Sequence, residues 1–111
     1  PITAAGQVEG GMAQALGFTL TEEMCCDQQG HQLNPDFVTY LIPRAQEMPA
    51  MDVIFVQTDE PSGPFGAKSV SEISTDGVAP AVASAVHNAT GVWIRELPAT
   101  PERVLAAIRA K

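Results

Sequence analysis

An α+β fold of short strands packed with about three helices is predicted for this chain, and three observations predict it. Apolar residues recur at helical spacing in three separate stretches. One run, Asp52 to Thr58, is β-branched and aromatic without Gly or Pro. Short turn signals punctuate the rest, as in folds that mix the two element types.

The elements come in order along the chain. Gln7 to about Glu23 carries Val8, Met12, Ala15, Leu16 and Leu20, one apolar face of a helix. Gly10, Gly11 and Gly17 lower its propensity, so their use is close approach, either of another backbone or of a ligand. Met24 to Leu33 reads as a hairpin, with Gln28-Gln29-Gly30 as its turn and Cys25 and Cys26 as buried or half-buried strand thiols. Asn34-Pro35-Asp36 signals a turn or helix start before Phe37-Val38-Thr39-Tyr40. Pro43 ends that element, and Arg44 to Ala50 connects. Asp52 to Thr58 is the clearest strand. Asp59 to Ser74, with Pro61, Gly63, Pro64 and Gly66, is a loop of a length that tends to be functional or disordered. Thr75-Asp76-Gly77 caps a helix that runs to about Asn88 on a stripe of Val78, Val82, Ala85 and Val86, and Gly91 stops it. Val92 to Leu97 is a short strand. Thr100 as N-cap and Pro101 at the first helical position open a last helix, which buries Val104, Leu105 and Ile108.

With 111 residues, the chain is sized for one domain with a modest core. It is 45% apolar with a net charge of −7, a globular composition. The acidic balance argues against the basic face that nucleic-acid phosphates or an anionic membrane surface would need. No apolar run reaches the length of a membrane span, and no secretory leader is legible, so a cytoplasmic setting is expected. The first residue is Pro1 rather than Met, as in a piece of a longer chain or a processed one. Few strands and a long Gly/Pro loop point the same way, to residues 1–111 as a single partial domain that leans on something else for its core. Such a domain exposes an apolar patch, and self-association is the expected consequence.

The chemistry is narrower. No His-x-His, Cys-x-x-Cys or Glu-x-x-His spacing exists, so no protein-ligated metal is expected, and no Gly-x-Ser-x-Gly elbow marks a nucleophile. Gly63-Pro64-Phe65-Gly66-Ala67-Lys68-Ser69 fails as a phosphate loop, because Ala67 separates the last Gly from Lys68. A Gly-rich turn, a Lys and hydroxyls can still present N–H groups to an anion. Glu72 lies between Val70 and Ile73, with Ser71 and Ser74 also close by. Two readings stand: a desolvated carboxylate acting as a general base, or one that precedes the next helix and is favoured by its dipole.

Two segments carry a resemblance. Gly6-Gln7-Val8-Glu9-Gly10-Gly11-Met12-Ala13-Gln14-Ala15-Leu16-Gly17 resembles the helix-opening segment of the xanthine dehydrogenase/aldehyde oxidase family, and Gly63 to Glu72 its signature loop. Asn34-Pro35, Tyr40-Leu41-Ile42-Pro43 and Leu97-Pro98-Ala99-Thr100-Pro101-Glu102 fit the same family in the same order, from about Gly6 to the end. The resemblance implies the C-terminal part of a molybdopterin-binding subunit. That subunit hydroxylates a purine, aldehyde or N-heterocycle carbon with water. Iron–sulfur and FAD groups sit on other domains or subunits, and these, the remainder of the molybdenum subunit and a small-molecule substrate are the implied partners. The metal is held by the pterin dithiolene. By match, Glu72 is the catalytic base that takes the proton from the metal's hydroxo ligand. Gln7, Lys68, Ser69, Val70 and Ser71 match the cofactor-binding positions. Many members have Gly directly before the Glu where this chain has Ser71. The isolated chain is expected to be inactive and to bind no molybdenum. Two alternatives are a catalytically silent scaffold or assembly module of the same descent, and an unrelated anion-binding domain using the Lys68 loop.

Overall fold

The computed structural model describes residues 1–111. Three α-helices account for its regular structure: α1 (Ile2–Leu20), α2 (Val78–Thr90) and α3 (Pro101–Arg109), with short 3₁₀ turns at Ala45–Glu47, Pro64–Gly66 and Ile73–Thr75. α1 starts five residues earlier than its apolar spacing suggests and stops at Leu20. Beyond it, Thr21 and Glu22 both donate their N–H to the carbonyl of Gly17, which closes the helix end.

The helices end where local chemistry dictates. Gly91, at φ 77°, takes the left-handed conformation that terminates α2. The N-terminus of α2 differs from expectation. Gly77 is the N-cap and no side chain caps it. Thr75 instead donates its hydroxyl to the carbonyl of Glu72 at 2.8 Å, because the 3₁₀ turn before the helix uses that group first. α3 begins as its sequence says: Thr100 Oγ1 accepts from Arg103 N at 3.3 Å, with Pro101 in the first turn. Thr100→Ala is expected to cost about 1 kcal/mol, read as a lower thermal midpoint of the intact parent protein. An unchanged midpoint would mean that the cap contributes nothing to stability.

The strand expectations are not met, and the α+β class is not confirmed within this chain. The one β-pairing is an isolated bridge between Cys26 and Gln32. Around it the Met24–Leu33 hairpin is real but minimal. Asp27 closes the turn by accepting from Gln29 N, His31 N and the His31 ring. Hydrogen bonds from the backbone and ring of His31 hold its carboxyl below the usual carboxylate range. Cys25 and Cys26 are exposed free thiols, not buried ones, since no second layer covers the hairpin. Asp36 makes a turn rather than a helix, bonding Val38 N, Thr39 N and the Thr39 hydroxyl. Asp52 to Thr58 forms no strand, and none of its backbone groups has a backbone partner. Val92 to Leu97 likewise pairs with no strand. A strand exists only as part of a ladder, and no other stretch of this chain pairs its backbone with either segment.

What core there is sits where α1 meets the 3₁₀ turn Ile73–Thr75, α2 and the segment before α3. Ala15 and Thr19 of α1 are buried, as are Pro98 and Ala99, and Ala99 N donates to Thr19 O at 2.6 Å. Arg103 fastens α3 to the same corner through Pro98 O and the Glu23 carboxylate. The apolar face of α3 is only half covered: Leu105 and Ile108 stay 46% and 41% exposed, over an open cleft they share with Leu20 and Val86.

The surface shows how incomplete this core is. Its area is 8425 Å², against about 5,900 Å² for a compact monomer of this size. The radius of gyration is 17.5 Å, against about 13 Å for a compact domain. Ile54 and Val56 of the β-branched run are 85% and 78% exposed. Apolar surface on this scale is an interface in waiting. The isolated chain is expected to self-associate, with the sedimentation coefficient rising with concentration; a clean monomer at high concentration would overturn this. No helix is long and apolar enough to cross a membrane.

Candidate functional site

The segment from Ser71 to Thr75 lies against α1, and that contact builds the site. Gly11 is buried on α1, and a Cβ added there would stand 2.0 Å from Ser74 Oγ. Only a residue without a side chain lets the segment come this near. One helical turn earlier, Gln7 donates its Nε2 to the carbonyl of Ser71 at 3.0 Å, across 64 residues of sequence. Gln7 and Ser71, singled out separately in the sequence, are therefore in contact.

Lys68, Ser69 and Val70 form one lip of an open cleft of about 640 Å³. Val8 of α1, Ile73 and the unpaired run Asp52–Thr58 line the rest. Lys68 has no carboxylate within ion-pair distance, as the three ion pairs present are elsewhere. The backbone N–H groups of five consecutive residues, Lys68 through Glu72, have no acceptor within the chain. Backbone donors are obligatory hydrogen-bonding groups, and these five, mostly exposed, are free to meet water or a ligand.

Glu72 stands between these parts. It is the residue before the Ile73–Thr75 turn, and its carbonyl accepts from Thr75 N and Thr75 Oγ1. Its carboxylate forms no hydrogen bond and is exposed, and Ile73 beside it is 69% exposed. The expected apolar, desolvated surroundings are thus not built by this chain. The Glu72 side chain caps neither the Ile73–Thr75 turn nor α2. Any desolvation of Glu72 has to come from what covers the segment.

Ser71 explains a point of sequence. Its φ is 36°, in the left-handed region where a side chain is strained and Gly is at ease. A Gly at this position is what the backbone prefers, and Ser71 carries a conformational cost.

The donor set can be tested against a molybdopterin-type group, which is bulky, anionic and rich in hydrogen-bonding atoms. Five free N–H groups, an unpaired Lys68 ammonium and the remaining amide atoms of Gln7 suit such a group. His, Cys, Asp and Glu side chains nowhere gather in threes around a common point, so the donors present suit an organic ligand rather than a bare metal ion.

Two features escaped the sequence. The Gly11–Ser74 contact had a signal, a glycine inside a helix, but nothing named its partner. The other, a stack of His87 on Trp93 with ring centroids 4.1 Å apart, had none. It belongs to the α2 end and not to this site.

The chain is similar to known proteins over nearly its whole length. Residues 1–49 match the family model described as a molybdopterin cofactor-binding domain. Over 109 residues, 97% of its length, the chain is 42% identical to the probable hypoxanthine oxidase XdhD of Escherichia coli (strain K12), of which it covers 11%. It is 41% identical over 105 residues, 94% of its length, to the putative xanthine dehydrogenase molybdenum-binding subunit XdhA of the same strain, covering 14% of it. Among solved structures, quinoline 2-oxidoreductase from Pseudomonas putida 86 superposes with a TM-score of 0.91 at 33% identity, over 100% of this chain and 14% of that one. The chain thus spans about one-seventh or less of the length of these proteins.

Proposed function

Because this chain belongs to the xanthine dehydrogenase/aldehyde oxidase family of molybdenum hydroxylases, we propose that it forms one wall of a molybdopterin site, with Glu72 as the catalytic base. The observation that carries this is the run of free N–H groups from Lys68 to Glu72 beside Gln7. The parent protein hydroxylates an electron-poor carbon of a purine, aldehyde or N-heterocycle, with iron–sulfur and flavin groups on other domains or subunits. Family membership sets aside the unrelated anion-binding domain.

Each residue has a task. The N–H groups of Lys68, Ser69, Val70 and Ser71 and the spare N–H of Gln7 would donate to the bound cofactor, and Gln7 Oε1 would accept from it. The Lys68 ammonium faces its negative charge. When bound, the cofactor supplies the two-electron oxidation of the substrate carbon. Glu72 accepts, at a carboxylate oxygen, the proton released as a water-derived hydroxyl turns nucleophile. A carboxylate is a weak base in water. It becomes effective when the segment is covered and water is excluded, which the exposed Glu72 of this chain still awaits.

The test is turnover of the intact parent subunit, loaded with cofactor, on a panel of purines, aldehydes and N-heterocycles, with molybdenum content measured alongside. Hydroxylation of one class supports the proposal and names the substrate class. A second reading, a catalytically silent scaffold, is favoured by one observation, the strained Ser71 beside the base. A loaded wild-type subunit that turns nothing over would put that reading first.

A further inference from the structure

We propose that Gln7 is a positioning residue for Glu72, acting through the Ser71 carbonyl; this rests on Glu72 being the base. Ser71 holds φ at 36°, a conformation that an L-residue leaves readily unless something holds it. The Gln7 amide does so, with Nε2 on Ser71 O at 3.0 Å. Gln7 forms no bond to Glu72 itself, so any influence on the carboxylate passes through the backbone. The dihedrals of Ser71 set the direction in which the next residue leaves the loop.

A second contact makes this a two-point mount. Gln7 and Gly11 are four residues apart and lie on one face of α1. Gln7 holds Ser71, and the missing side chain of Gly11 seats Ser74. Glu72 lies between the two points, so the helix face governs both ends of the segment that carries it. The Gln7 bond uses one amide hydrogen. Its Oε1 and its second N–H stay free for the cofactor. Gln7 thus joins ligand and base through one planar group.

Ser71→Gly provides the discriminating test. A Gly adopts the left-handed conformation unaided, so a brace on Ser71 becomes redundant once residue 71 needs no bracing. A Gln7 that served only the cofactor would matter equally in both backgrounds. The experiment measures kcat, KM and molybdenum content for Gln7→Ala, Ser71→Gly and the double variant in the loaded parent subunit, with thermal midpoints as a readout independent of turnover. Gln7→Ala alone is expected to lower kcat by about 10- to 100-fold with KM little changed, the scale of a misplaced catalytic group. On the Ser71→Gly background the same change is expected to cost no more than about threefold, and its thermal cost is expected to shrink in parallel. Equal losses of kcat per bound molybdenum in both backgrounds would overturn the proposal, as would an effect confined to KM. Glu72→Gln in the same series separates two failures. If it keeps wild-type turnover, the base assignment falls and takes this role with it. If it abolishes turnover while the Gln7→Ala losses are equal in both backgrounds, only the positioning role falls.

Discussion

Glu72→Gln in the cofactor-loaded parent subunit is expected to lower kcat by about 10²- to 10⁴-fold, the usual contribution of a positioned general base. The substitution keeps the size and shape of the side chain and removes its ability to take a proton. It should cost little stability, because the Glu72 carboxylate is exposed and bonds nothing in this chain. Molybdenum content and KM are therefore expected to stay near wild type while turnover collapses, the pattern of an interaction made only in the transition state. Steady-state kinetics with metal analysis on the same preparation would show it. Turnover equal to wild type would remove Glu72 from the chemistry, whatever the resemblance implies.

Gly63→Ala is expected to damage the site by a different route. Its φ of −90° suits any residue, so conformation is no obstacle. Space is the obstacle: a Cβ would stand 2.1 Å from the main-chain oxygen of Ala67. A side-chain atom could swing aside, whereas a backbone carbonyl moves only if the Pro64–Gly66 turn moves with it. Overpacking of this kind costs roughly 1–3 kcal/mol. The displaced stretch leads directly into Lys68 and the free N–H groups beyond it. The variant parent subunit should show a lower thermal midpoint and reduced molybdenum content together. If both are unchanged, the loop is looser than this geometry implies and its shape does not set the cofactor wall.

Short-range features were legible in the sequence because their causes are short-range. Thr100 caps α3 and Pro101 starts it, since the cap and the donor it satisfies are three residues apart. Gly91 ends α2, and Gly30 turns the hairpin, for the same reason. The identity of Glu72 as the residue to watch came from the Gly63–Glu72 motif by resemblance; its chemistry does not follow from neighbours that leave it exposed. Strands were misjudged at Asp52–Thr58 and Val92–Leu97. Their composition suits a pleated sheet, but pairing depends on a second stretch of chain, and this chain offers none. The tertiary structure alone decided that Gln7 meets Ser71, that Gly11 admits Ser74, and that Ser71 is held in a left-handed conformation beside Glu72. Those contacts join residues more than sixty positions apart. No local spacing encodes them, because they exist only once α1 and the segment before α2 have packed together.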